Sequence, residues 1–115
     1  MLKNVRGKGL MMGIEFGPPK SLALRASWTM LETASAGLFC QLITIPLFKD
    51  MKILTQVSGH ASHTVKILPP LTITDEDCAW IERGFDQVIA GAHRVPGAVW
   101  SLGKTLVDNA LRASA

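Results

Sequence analysis

Residues 63–74 read HTVKILPPLTIT, and the rest of the chain is best read outward from them. TVKIL alternates as a strand does, with Thr64, Lys66 and Leu68 on one face and Val65 and Ile67 on the other. Pro69 and Pro70 stop the strand. Thr74 is a suitable helix N-cap, and Asp77 stands three residues on, where a capping-box acid belongs. Asp75, Glu76 and Asp77 also suit the positive end of the helix dipole. Lys66 is the anomaly, a cation in the middle of an apolar strand. Two readings are open: a lysine that snorkels to solvent from a sheet edge, or a cation held rigidly by the Pro69–Pro70 turn to bind a carboxylate.

Upstream, residues 52–59 (KILTQVSG) read as a short strand and SGHAS as a turn, so TVKIL can pair back as a hairpin. Residues 9–16 (GLMMGIEF) read as a buried strand, ended by Gly17-Pro18-Pro19. Between Ser21 and Ala36, Leu24, Trp28 and Leu31 share one helical face. Residues 37–49 carry both a β-branched ITI and a helical spacing interrupted by Pro46, and helix is the expectation adopted. Downstream, Trp80, Ile81, Phe85, Val88, Ile89 and Ala92 form one stripe of a helix weakened by Gly84. Pro96-Gly97 separates it from a last helix carrying Val99, Trp100, Leu102, Leu106, Val107 and Leu111. The order β–α–α–β–β–α–α predicts a single α+β domain over residues 1–115, two layers, with about three strands packed under helices.

Composition narrows the function classes. The chain of 115 residues is 48% hydrophobic and only 18% charged, and its mean hydropathy is +0.26. No run approaches the roughly 18 apolar residues of a membrane span, and the N-terminus lacks a signal-peptide core. A cytoplasmic, non-membrane protein is expected, with apolar surface that faces another domain or subunit. The net charge of +3 is scattered, without the clustered basic footprint of a nucleic-acid binder. Cys40 and Cys78 read as thiols and not as a disulfide.

Several short motifs resolve to structural readings. Gly7, Gly9 and Gly13 are one residue too widely spaced for GxGxxG and precede a strand instead of following one. AVWSLGKT ends like a phosphate loop, but Ala98 stands where glycine belongs and no strand precedes it. His60 and His63 lack the further ligands a metal needs. The acids at 75–77 are accounted for by helix initiation. No catalytic constellation is complete, and no cofactor-binding or metal-ligating residue is assigned.

VRGKGLMMGIEF and, some fifty residues later, VKILPPLTITDED resemble in combination the C-terminal small domain of class III, omega-type, pyridoxal-phosphate-dependent aminotransferases. This family includes acetylornithine, ornithine, 4-aminobutyrate and putrescine aminotransferases, and the acetylornithine/ornithine type is the suspected match. The similarity spans most of residues 3–90, with Gly7, Gly9, Gly13, Pro69 and Pro70 as its structural motif, and it favours helix over residues 37–49. The resemblance implies a fragment of a longer, homodimeric enzyme that moves an amino group between an amine or amino acid and a 2-oxo acid. The large cofactor-binding domain would precede this one. Pyridoxal phosphate would belong to the parent enzyme, because none of the seven lysines lies in a cofactor-binding context. Where many relatives carry a carboxylate-binding arginine, this chain has Lys66, a point charge in place of a planar fork. The alternative expectation is a stand-alone, non-enzymatic α+β module for binding or dimerisation.

Overall fold

Val65, in the middle of TVKIL, has no solvent exposure, and the sheet is assembled around it. The computed structural model describes residues 1–94, 108, 109 and 111–113. Its elements are strands β1 (Leu2–Lys8) and β2 (Met11–Phe16), helix α1 (Leu22–Ala34), a 3-10 turn (Leu38–Cys40), helix α2 (Gln41–Lys49), strands β3 (Gln56–Val57) and β4 (Thr64–Ile67), and helix α3 (Asp75–Ala92). The strands form one antiparallel sheet in the order β1-β2-β4-β3. Ile14 pairs with Val65, and both lie on the sheet face that meets the helices. Behind them the core is closed by Phe16, Trp28, Leu31, Phe39, Ile43, Leu47, Phe85 and Val88, all buried. The domain is a two-layer α+β structure.

The sheet has four strands where about three were expected. Residues 2–8 form β1, which pairs with β2 from Lys8↔Met11 back to Leu2↔Phe16. This strand escapes a hydropathy reading because it carries three cations, and all seven of its residues are exposed. Gly9 lies in the two-residue loop of that hairpin with φ +58°, the glycine-first geometry such loops favour. The VRGKGLMMG glycines therefore belong to a hairpin, and residues 9–16 are not buried throughout. Met11 and Met12 are exposed and only Ile14 and Phe16 reach the core. Of KILTQVSG, only Gln56 and Val57 form strand.

Helix is correct for most of residues 37–49. The segment starts as the 3-10 turn and continues as α2, with Pro46 inside it and Leu42, Ile43 and Leu47 buried. Burial of three large side chains outweighs the proline's missing N–H, an instance of packing overriding local preference. The capping box at the start of α3 is complete. The Asp77 backbone N–H donates to Thr74 Oγ1 at 3.1 Å, and the Thr74 N–H to Asp77 Oδ2 at 3.0 Å. The Thr74 N–H, and then the Thr74 hydroxyl donating to the same Oδ2 at 2.9 Å, hold the Asp77 carboxyl below its ordinary value of 3.8. On the apolar stripe of α3, Phe85, Val88 and Ala92 are buried, while Trp80 is 44% exposed and donates from Nε1 to the Met51 carbonyl at 3.0 Å.

Gly84 costs α3 helix propensity but does not interrupt it, and it lets α3 approach α2. A Cβ there would lie 2.6 Å from Ile53 Cδ1, 3.5 Å from Leu47 Cδ2 and 3.6 Å from Met51 Cβ. Cys40 is buried and Cys78 exposed, both free; burial, with the Glu32 carboxylate adding to it, pushes the Cys40 thiol up to about 12. Of the expected last helix, Asp108, Asn109 and Leu111–Ala113 are helical. Its remaining residues, the Pro96-Gly97 break and the AVWSLGKT motif lie outside the described residues. Among the described residues, no single helix is long and apolar enough to cross a membrane.

The close approach at Gly84 makes a size-dependent prediction. Gly84→Leu overfills the α2–α3 contact and should lower the unfolding free energy by about 1–3 kcal/mol. Gly84→Ala displaces only the tip of Ile53 and gains about 1 kcal/mol of helix propensity, so it should remain near neutral. Urea unfolding curves of the two variants test this, and equal midpoints would show that the contact is loose.

Candidate functional site

Lys66 lies on β4, an interior strand of the sheet, so the sheet-edge explanation for its charge does not hold. Its register partners are Gly13 on β2 and Gln56 on β3. Because paired residues share a face, Lys66 stands on the side away from the helices, opposite the face of Val65. It is half-buried, and among the described residues it has no ion-pair partner.

The chain beyond Lys66 holds this strand end in place. After Pro69-Pro70, the Ile73 N–H donates to the Pro70 carbonyl at 3.1 Å, and the Thr74–Asp77 box then starts α3. Strand, turn and helix N-terminus border a cleft of about 440 Å³ lined by Lys52, Lys66, Pro69, Pro70, Asp77 and Trp80, among others. A second cavity of about 350 Å³ lies between β3 and β4, walled by Leu54, Thr55, Gln56, Lys66 and Leu68. Leu54, Leu68, Leu71 and Trp80 are exposed around this region. The Lys66 ammonium, without an ion-pair partner among the described residues and flanked by apolar side chains, favours an anion, since a charge-assisted hydrogen bond strengthens as water is excluded.

The cleft does not offer a seat for pyridoxal phosphate. A phosphate is held by free N–H groups at a helix N-terminus, but at α3 the Asp77 carboxylate and the Thr74 hydroxyl already fill that position. Asp77 Oδ2 is likewise committed to the cap, and two further carboxylates in the same turn, Asp75 and Glu76, make this end of the cleft unfavourable for a phosphate. The described residues therefore do not fit the cofactor, and no reaction step is assigned to them through it.

The other sequence-derived candidates separate in the structure. Gly7 sits in β1, Gly9 at the hairpin turn and Gly13 beside Lys66. Glu15 receives Lys3 Nζ and Arg6 Nη1, each at 2.7 Å, and the hydrogen bonds from Lys3 and then Arg6 hold its carboxyl below 4.5. Such exposed pairs contribute little stability. His60 and His63 do not converge: His63 Nε2 lies 2.7 Å from Glu32 Oε2, with its ring 5.2 Å from that of Trp28.

Glu32 is the polar hub that sequence reading missed. Besides His63, its carboxylate accepts the N–H of Gly37 at 2.8 Å and of Phe39 at 3.1 Å. One side chain thus ties the end of α1 to the following turn and to the segment leading into β4. Burial alone would raise this carboxyl, but the His63 bond and the two backbone N–H groups outweigh it and leave it below 4.5. No local motif announces this role, because its three partners are five, seven and 31 residues away.

An apolar groove of about 310 Å³ also lies open between the β1–β2 turn and α3, lined by Leu10, Met12, Ile67, Ile73, Ile81 and Phe85 among others. Leu2 and Val5 of β1 are exposed as well, at 51% and 50%. Apolar surface is therefore present in quantity, as composition led one to expect.

Comparison with known proteins finds no family model that matches. A diaminobutyrate–2-oxoglutarate transaminase from Nocardia farcinica is 33% identical over 89 residues, which is 77% of this chain and 15% of that protein. The chain thus spans about a seventh of the length of the curated relative it matches. That relative is named as a diaminobutyrate transaminase, so it supports the aminotransferase resemblance but not the acetylornithine or ornithine type.

The Glu32 hub carries a pH prediction. Its folded value is depressed, so its contribution to stability is present above the ordinary value of 4.5 and is lost as pH falls through the lowered one. Glu32→Gln should cost about 1–3 kcal/mol near neutral pH. The gap between wild type and variant should close in acid, as followed by urea unfolding across pH. A gap that stayed constant down to strong acid would remove Glu32 from this role.

Proposed function

We propose that this chain is the C-terminal small domain of a class III, pyridoxal-phosphate-dependent aminotransferase, and that Lys66 anchors a substrate carboxylate. The observation that carries the reading is Lys66 itself: a cation on an interior strand, unpaired among the described residues, followed by the Pro69–Pro70 turn, at the position where many members of the resembled family carry a carboxylate-binding arginine. The similarity to a transaminase over 77% of the chain supports the same reading.

In this proposal the parent enzyme moves an amino group between an amine or amino acid and a 2-oxo acid. Residues outside these 115 hold the cofactor, which supplies the electron sink for that chemistry. This domain binds and orients the substrate, and its open apolar groove packs against the rest of a cytoplasmic homodimer. The relative's name suggests diaminobutyrate as a donor and 2-oxoglutarate as an acceptor to try first.

The test has two parts that fail separately. Genomic DNA upstream of the Met1 codon should encode, in frame, a domain with a cofactor lysine; an in-frame stop codon close upstream would sink the small-domain reading. In the transaminase so defined, Lys66→Ala should raise the KM of at least one carboxylate substrate by about tenfold, the loss of one hydrogen bond to a charged group. Unchanged KM for both donor and acceptor would show that Lys66 is not the anchor.

A further inference from the structure

Lys66 has a polar neighbour that bears on how a lysine can replace an arginine. Gln56 of β3 is its direct register partner. Directly paired residues project to the same face with Cβ atoms about 4.5–5.5 Å apart, so the ammonium and the carboxamide rise side by side. Both line the cavity of about 350 Å³ between β3 and β4. Among the described residues, neither side chain has a hydrogen-bond or ion-pair partner. On the other flank the register partner is Gly13, which offers no side chain to a ligand.

We infer that Gln56 and Lys66 form a composite fork for one carboxylate, Lys66 Nζ donating to one oxygen and Gln56 Nε2 to the other. The inference rests on the reading of Lys66 as a carboxylate anchor and adds the residue that sets its geometry. An arginine presents two parallel N–H donors from one planar group; a lysine ammonium is a point charge on a flexible stem and fixes no plane. The carboxamide supplies the second donor and defines the plane. Leu54 and Leu68 complete the wall of this cavity, and apolar walls strengthen both bonds by excluding water. Thr55, just before β3, also lines this cavity, and its hydroxyl oxygen is buried without a partner among the described residues; the fork as inferred uses only the two side chains paired across the strands. The ligand class is the carboxylate end of a small amino or 2-oxo acid.

The test uses the ¹⁵N-labelled 115-residue protein titrated with sodium propionate, against sodium chloride at equal ionic strength. The Gln56 side-chain amide and the Lys66 backbone amide should shift along one saturating curve. Gln56→Leu should weaken binding about tenfold, and Gln56→Glu, which sets a second carboxylate against the ligand, should abolish it. Lys66→Arg should bind more tightly than wild type and make Gln56→Leu nearly silent in the double variant, because the guanidinium then provides both donors. If Gln56→Leu binds as wild type while Lys66→Met does not bind, the fork is overturned and the Lys66 anchor stands. If Lys66→Met binds as wild type, or if wild type shows no saturable shift at either residue, both ideas are overturned. The amide spectrum of each variant reports directly whether it is folded.

Discussion

The pairing of β2 with β4 is the constraint on which the rest of the molecule depends. It joins Met12–Glu15 to Thr64–Ile67 across all the intervening helical chain. One face of that pair supplies Ile14, Phe16 and Val65 to the core, and the other face carries Gly13, Glu15, Thr64 and Lys66. Because a strand's side chains alternate with a period of two, a slip of one residue would exchange these sets. Val65 would then face away from the helices, and Lys66 would be driven into a core built from Trp28, Phe39 and Leu47. Burial of Val65 and exposure of Lys66 are thus one requirement expressed on two faces.

Around that pair, polar groups act mainly as local fasteners. Glu32 gathers two backbone N–H groups and His63, and the Thr74–Asp77 box gathers the first turn of α3. Both carboxyls are held low by hydrogen bonds to groups of the fold itself. Among the described residues Lys66 and Gln56 differ in having donors to spare, which is why the proposed carboxylate site falls on them and not on the more conspicuous acidic run at 75–77.

The parts of the fold legible in the sequence were those with a short-range cause. The TVKIL alternation, the two prolines, the capping box and the stripe of α3 all lie within a few residues of what explains them. The α+β class followed from their order. Strand β1 was not legible, because LKNVRGK shows no apolar alternation when its edge position leaves both faces in water. Gly84 was legible only as a propensity cost, because the reason for a glycine there is Ile53, brought near only by tertiary packing. At the candidate site, Lys66 was visible as an anomaly and through its resemblance to a known motif. Gln56 was invisible, since cross-strand register, and not sequence spacing, makes it a neighbour.

The position of β1 has a further consequence for the behaviour of the protein in bulk solution. At seven residues, with Leu2 and Val5 exposed, and with no strand beyond it among the described residues, it presents a row of main-chain donors and acceptors to a strand of another molecule. Lys3, Arg6 and Lys8 line the same strand, and Glu15 offsets only part of their charge. Two copies approaching edge to edge therefore meet mutual repulsion before their backbones can pair. That repulsion reaches only about a Debye length, about 8 Å at physiological ionic strength and about 3 Å at 1 M salt. Concentrated salt therefore removes the reach of these three cations while leaving the strand edge itself unchanged.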